Sequence, residues 1–131
     1  MKVVQEQPKI MDEARNVFRL PEGVVMTWGD ILYNPSGRHI DLPLMRHEEH
    51  HSKQQGNDPS GWWKRYFSDK DFRISQEIEA YRIQYQEAKK INGDRNTLMK
   101  YAMLLASDLS SEMYGSMMTR QEALKAIALS T

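Results

Sequence analysis

The chain of 131 residues contains no cysteine and carries no net charge. Without cysteine there are no disulfides and no thiolate metal sites, which leaves histidine and carboxylate as the strong ligands and is compatible with a reducing cytosol. Lysine plus arginine and aspartate plus glutamate each number 18, so no charge excess draws the chain to nucleic acid or to an anionic membrane. Long apolar runs are missing as well, so no membrane span is expected. The N-terminus follows Lys2 with Gln5, Glu6, Gln7 and Pro8 instead of an apolar core, so no signal peptide is expected either, and a cytoplasmic location follows. No repeat or low-complexity tract is present. A hydrophobic content of 40% suffices for one core, and a single domain over residues 1–131 is the expectation.

What the chain does have is histidine in one place. Three of its four histidines fall in His47-Glu48-Glu49-His50-His51, which contains the pattern His-Glu-x-x-His. Four residues of α-helix rise about 6 Å and turn just past one revolution, so His47 and His51 can both aim a nitrogen at one ion about 2 Å away. Glu48 then sits beside the first ligand, placed to reach a water on the metal. His50 could also pair with His47 at three-residue spacing, but only the pairing of His47 with His51 puts a glutamate where that water needs it. His50 is read as a flanking residue and His39 as a strand-end side chain.

The flanks supply the helix. Asp41 is a suitable N-cap, Pro43 falls in the first turn, where its missing N–H costs nothing, and Gly56 is a natural stop, so a helix is expected over residues 41–55. Leu44, His47, Glu48, His51 and Gln55 share one face of it. A catalytic zinc site wants a third protein ligand from elsewhere and an open fourth position. A second helix is expected over residues 72–91, where Ile74, Ile78, Tyr81, Tyr85 and Ala88 repeat at three- and four-residue spacing. Glu77 lies on that apolar stripe, an unfavourable place for a carboxylate without a partner. Glu79 points about 160° away from it. Glu77 is the expected ligand, with Glu79 the substitute.

His47-Glu48-x-x-His51 followed on a second helix by Glu77-x-Glu79-Ala80-Tyr81 resembles the gluzincin metallopeptidases. It resembles most the minimal, single-domain minigluzincins and similar small zincin-like proteins of bacteria and phages. Residues 20–90 carry the likeness, and Ser111-x-x-Tyr114-Gly115 before a short helix is similar to the ends of those proteins. The resemblance implies an α+β, mainly α fold. In it a short β-hairpin or sheet packs on the His-Glu-x-x-His helix beside a second ligand helix. It also implies a zinc metalloendopeptidase acting on a peptide or protein substrate, with Zn2+ held by His47, His51 and Glu77 and with Glu48 as general base. Many gluzincins carry aspartate four residues after the ligand glutamate, to orient a zinc-bound histidine. Here that position is Tyr81, whose hydroxyl could do part of that work. The substitution also admits a second reading, a non-catalytic zinc-binding accessory or assembly protein, for example phage-encoded, while an intact Glu48 argues for the enzyme.

Several expectations concern the rest of the chain. A short amphipathic helix spans residues 10–20 and ends at Pro21-Glu22-Gly23. Residues 24–33 form two short strands broken at Gly29-Asp30, and Ile31–Tyr33 is the candidate edge strand beside the cleft, where an extended substrate could add by backbone hydrogen bonds. Residues 54–61 read as a loop. Trp62-Trp63-Lys64-Arg65-Tyr66-Phe67 reads as a short helix whose rings close the core rather than as a membrane-interface patch. A helix follows at 97–109, then a turn at 110–118, and Thr119 caps a last helix with Glu122 in a capping box. The transition-state oxyanion needs a neutral donor. Tyr81 and Tyr85 qualify, but Tyr114 is preferred for its neighbour Gly115. The tail, residues 110–131, is a candidate self-inhibitory cover for the cleft.

Overall fold

A computed structural model describes residues 1–129; Ser130 and Thr131, the last two positions of the expected domain and tail, lie outside the described residues. Gly29, at φ +62°, is the first of two turn residues joining strands β2 (Met26–Trp28) and β3 (Ile31–Tyr33). Tight hairpins favour glycine there because the backbone twist needs a positive φ. Trp28 faces Ile31 and Met26 faces Tyr33 in antiparallel register. A third strand, β1 (Lys2–Val4), runs parallel to β3, so the sheet order is β1-β3-β2. This corrects the expectation for Ile31–Tyr33: it is the central strand, and the free edge near the site belongs to β2. β1 escaped the sequence reading because three mostly exposed residues are too few to carry a periodic signal.

Helices make up most of the chain. Helix α1 (Met11–Val17) precedes the hairpin, and α2 (Leu42–Gln55), α3 (Pro59–Ser68), α4 (Lys70–Ile91), α5 (Arg95–Leu109) and α6 (Arg120–Leu124) follow it. α1 stops short of Leu20 because Phe18 turns extended at φ −127°, ψ 158°, and buries its ring against Tyr66 and Phe67. α2 starts as its sequence dictates: the Asp41 carboxylate accepts from the Leu44 N–H, and Gly56 closes the helix. The loop expected at 54–61 is shorter, since Gln54 and Gln55 complete α2 and Pro59 already opens α3. The rings of Trp62, Trp63 and Tyr66 are buried with Ile10, Met11, Ala14, Phe18 and Met26 in one core cluster.

The second cluster joins Tyr81 to Leu105, Ala106 and Leu109 of α5 and to Met117, Ala123 and Ile127 of the tail. A 3-10 turn at Glu112–Tyr114 leads to Thr119, which caps α6 in a full capping box with Glu122, and Lys125–Leu129 continue as a π-helical turn. From Met117 on, the tail is core material packed on α4 and α5, while Met113 and Tyr114 line the cavity. Among the described residues no helix is long and apolar enough to cross a membrane.

Candidate metal centre

α2 lies along α4, and the faces they share are polar. From α2 come His47, Glu48, His51 and Gln55; from α4 come Arg73, Glu77 and Gln84, with Ala80 and Tyr81 between them. The apolar stripe anticipated on α4 is only half-buried at Ile74, Ile78 and Tyr85, which turn toward α5 and α6. Polar side chains buried on these two helices need partners to offset lost hydration: His47, His51, Glu77 and Gln84 find them between the helices, Glu48 and Gln55 on the hairpin, and Arg73 at the Tyr66 and Tyr114 carbonyls. Those partners define the site.

His47, His51 and Glu77 are 3%, 5% and 2% exposed, and their ligating atoms all lie within 4.8 Å of one another. Nε2 of His47 lies 3.3 Å from Oε1 of Glu77, and Nε2 of His51 lies 3.2 Å from each of the two Glu77 oxygens. Donor atoms arranged tetrahedrally about an ion at about 2.0–2.1 Å are about 3.3 Å apart, so the two histidine–glutamate edges have the length of edges of a zinc polyhedron.

The outer nitrogens of both rings are held by glutamines. Gln84 Nε2 donates to the Tyr101 hydroxyl at 3.0 Å, which turns its Oε1 toward His47 Nδ1 at 2.8 Å. Gln54 Nε2 donates to the Gln76 carbonyl at 3.0 Å and to Glu79 at 3.3 Å, which turns its Oε1 toward His51 Nδ1 at 2.7 Å. Each imidazole therefore donates its Nδ1 proton outward and directs Nε2 at Glu77. In the neutral rings those two nitrogens are lone pairs facing a carboxylate, a donor set that a divalent cation satisfies and that fits zinc.

Electrostatics agree with the donor geometry. Burial disfavours the charged Glu77 carboxylate, but the imidazoles of His51 and His47 beside it outweigh burial and hold it well below the usual carboxylate range. Burial likewise opposes charge on His51, yet Glu77 and, more weakly, Glu48 raise its pKa to about 9. Without a metal, a proton on His51 supplies the positive charge this cluster demands. Tyr66, Tyr81 and Tyr114 are pushed well above their ordinary value by burial and by the Glu77 charge, so all three stay neutral donors.

The site opens into a cavity of about 410 Å³ whose walls include Glu48, Val24, Val25, Leu44, Tyr101 and Tyr114. Glu48 is fixed by Thr27 of β2, whose hydroxyl donates to its Oε2 at 2.8 Å. Tyr114 reaches the cavity from the 3-10 turn, with its hydroxyl 2.7 Å from that of Tyr81. Tyr81 differs from expectation: its hydroxyl faces Tyr114, and only its ring meets His47, edge to face at 4.6 Å between centroids. Gln84 orients that histidine instead. Tyr85 packs toward α5 and α6 and is not among the cavity-lining residues. Glu79 is no ligand, since His50 Nε2 holds it at 2.9 Å on the exposed side. His39 lies exposed in the segment before α2 rather than at a strand end.

Four functional side chains escaped the sequence reading: Gln54, Gln84, Tyr66 and Thr27. Spacing could have found two of them. Gln84 follows Glu77 by two turns on the same face, and Gln54 follows His51 by one. Tyr66 and Thr27 arrive from other elements and carry no local signal. No protein-family model, curated protein or solved structure matches the chain.

Proposed function

We propose that the protein is a zinc-dependent metallopeptidase of gluzincin type that hydrolyses peptide bonds in extended segments. The convergence of His47 Nε2 and His51 Nε2 on the Glu77 carboxylate, with both outer nitrogens committed to glutamines, carries this reading. Zinc, when bound there, supplies the Lewis acidity that activates water and polarises a carbonyl. The chain's own residues would do the rest. Glu48, held by Thr27 at the cavity wall, takes the proton of the attacking water and passes it to the leaving amine. Tyr114, a neutral donor backed by Tyr81, is placed to stabilise the oxyanion. A site serving structure alone has no use for a carboxylate beside the triad that opens onto a cavity.

The β2 edge supports the substrate class. The Thr27 carbonyl accepts from Gln55 Nε2 and Trp63 Nε1, and Gln55 Oε1 accepts from the Gly29 N–H. Gln55 thus takes the place of a neighbouring peptide unit over the hairpin end. Val24 and Val25, just ahead of β2, line the cavity, and an incoming strand would add there.

Metal analysis of protein purified without an affinity tag, beside His51→Ala and Glu77→Ala, tests the triad. About one zinc per chain, lost in both variants, is expected. Glu48→Gln should keep the metal and lose peptide hydrolysis by about 10²–10⁴-fold. Absence of zinc uptake, or undiminished hydrolysis in Glu48→Gln, would overturn the proposal.

A further inference from the structure

Resting on that metal-site reading, we infer that Tyr66 is a positioning residue that restricts Glu77 to a single donor oxygen and so biases the site toward a four-coordinate cation. His51 Nε2 lies 3.2 Å from both Glu77 oxygens, and His47 Nε2 approaches Oε1 at 3.3 Å. Oε2 alone is also held by the Tyr66 hydroxyl, at 2.6 Å, which leaves Oε1 as the oxygen free of a protein donor outside the triad. That contact is short for O–H···O and has the length of a charge-assisted bond to a carboxylate.

Tyr66 has little freedom to release that oxygen. It is 4% exposed, stacks on Trp62 at 4.9 Å between centroids, meets Trp63 at 5.0 Å and Phe18 at 6.0 Å, and its backbone carbonyl accepts from Arg73. The rings of Trp62 and Tyr81 pack against His51 and His47 and close those two sides of the centre.

A carboxylate free on both oxygens can chelate and raise the coordination number, which suits cations that prefer more oxygen ligands. One whose second oxygen is taken by a buried phenol offers a single donor. With two imidazoles it makes the three-protein-ligand set with an open position that zinc enzymes use. The aromatic cluster of α3, which reads from sequence as plain core, thereby acquires a part in metal choice.

The test uses the intact protein loaded with cobalt(II) or zinc. Cobalt-substituted wild-type protein should give the intense visible bands of a four-coordinate ion. Tyr66→Phe, which keeps the ring and removes the hydroxyl, should give the weaker bands of a five-coordinate ion. Zinc affinity should fall roughly ten- to a hundredfold in the variant, with manganese affinity falling less. Zinc-edge X-ray absorption of the wild-type protein needs no variant: two imidazoles and one carboxylate oxygen are expected. A second carboxylate oxygen in the wild-type shell would overturn the inference, and so would identical cobalt spectra in wild type and a folded Tyr66→Phe. Failure of the wild-type protein to take up any metal would instead overturn the site reading, and this inference with it.

Discussion

Gln84 holds the Nδ1 proton of His47 at 2.8 Å, from a position on α4 one turn beyond the residue expected to do so. Its own amide nitrogen is committed to Tyr101, so the oxygen cannot turn away without breaking a second bond. Gln84→Leu should therefore free the His47 ring and weaken zinc binding about 10–100-fold, with the helices intact by circular dichroism. Gln84→Glu should retain or tighten binding, because a carboxylate accepts the same proton more strongly. Competition against a chelator of known affinity measures both. Equal affinity in Gln84→Leu and wild type would remove the glutamine from the site.

Thr27 sits on the hairpin, outside both ligand helices, yet its hydroxyl meets the carboxylate of Glu48. Thr27→Val preserves the β-branched shape that suits a strand and deletes only that donor. Metal content should stay at the wild-type level while kcat falls by about tenfold or more, since a misplaced base loses the orientation that makes it effective. A KM change with kcat unaltered would mean that Thr27 serves binding and not the base.

Much of this arrangement can be read without coordinates where one helix carries the whole signal. His47, Glu48 and His51 lie on α2, and Asp41, Pro43 and Gly56 mark its limits; local spacing and capping chemistry are enough. Glu77 was legible for a different reason: a carboxylate on an apolar stripe demands a partner, and the pair of histidines is the partner. The same stripe misled in part, because the deeply buried face of α4 is the polar one shared with α2, and Ile74 and Ile78 are only half-buried. Contacts between separate elements left no trace in the sequence. The parallel pairing of β1 with β3 made Ile31–Tyr33 central rather than an edge, and Tyr66 looked like core because its ring is core. Only its hydroxyl, aimed at Glu77, does more.

Metal-free protein should show a stability profile set by His51 and Glu77. His51 titrates at about 9 when folded against an ordinary 6.5, so the stabilisation from its proton is complete below 6.5, declines as pH rises from 6.5 and is gone above about 9. Glu77 is shifted downward, so its contribution is present above the ordinary carboxylate value of 4.5 and is lost as pH falls below it. Thermal melts in chelator should be flattest between those values and fall on either side. Saturating zinc should abolish the alkaline decline, because the metal takes the place of the His51 proton. An alkaline decline of the same size with and without zinc would show that His51 is not a ligand.

The tail yields the sharpest contrast between cover and core. A cover should be removable, and its loss should raise activity. Here Ala123 and Ile127 are wholly buried and Met117 nearly so, packed with Leu105, Leu109 and Tyr81, whose ring meets His47 on its other side. Removing residues 111–131 would expose that apolar surface and withdraw Tyr114 from Tyr81. Truncation should therefore give an unfolded or aggregating chain with no zinc. Ile127→Ala reports the same cause in milder form: a cavity at a fully buried site costs about 2–5 kcal/mol, read as a fall in denaturant midpoint with the slope unchanged. A truncated chain that folds, binds zinc and cleaves peptides faster than the full protein would restore the tail as a latency device.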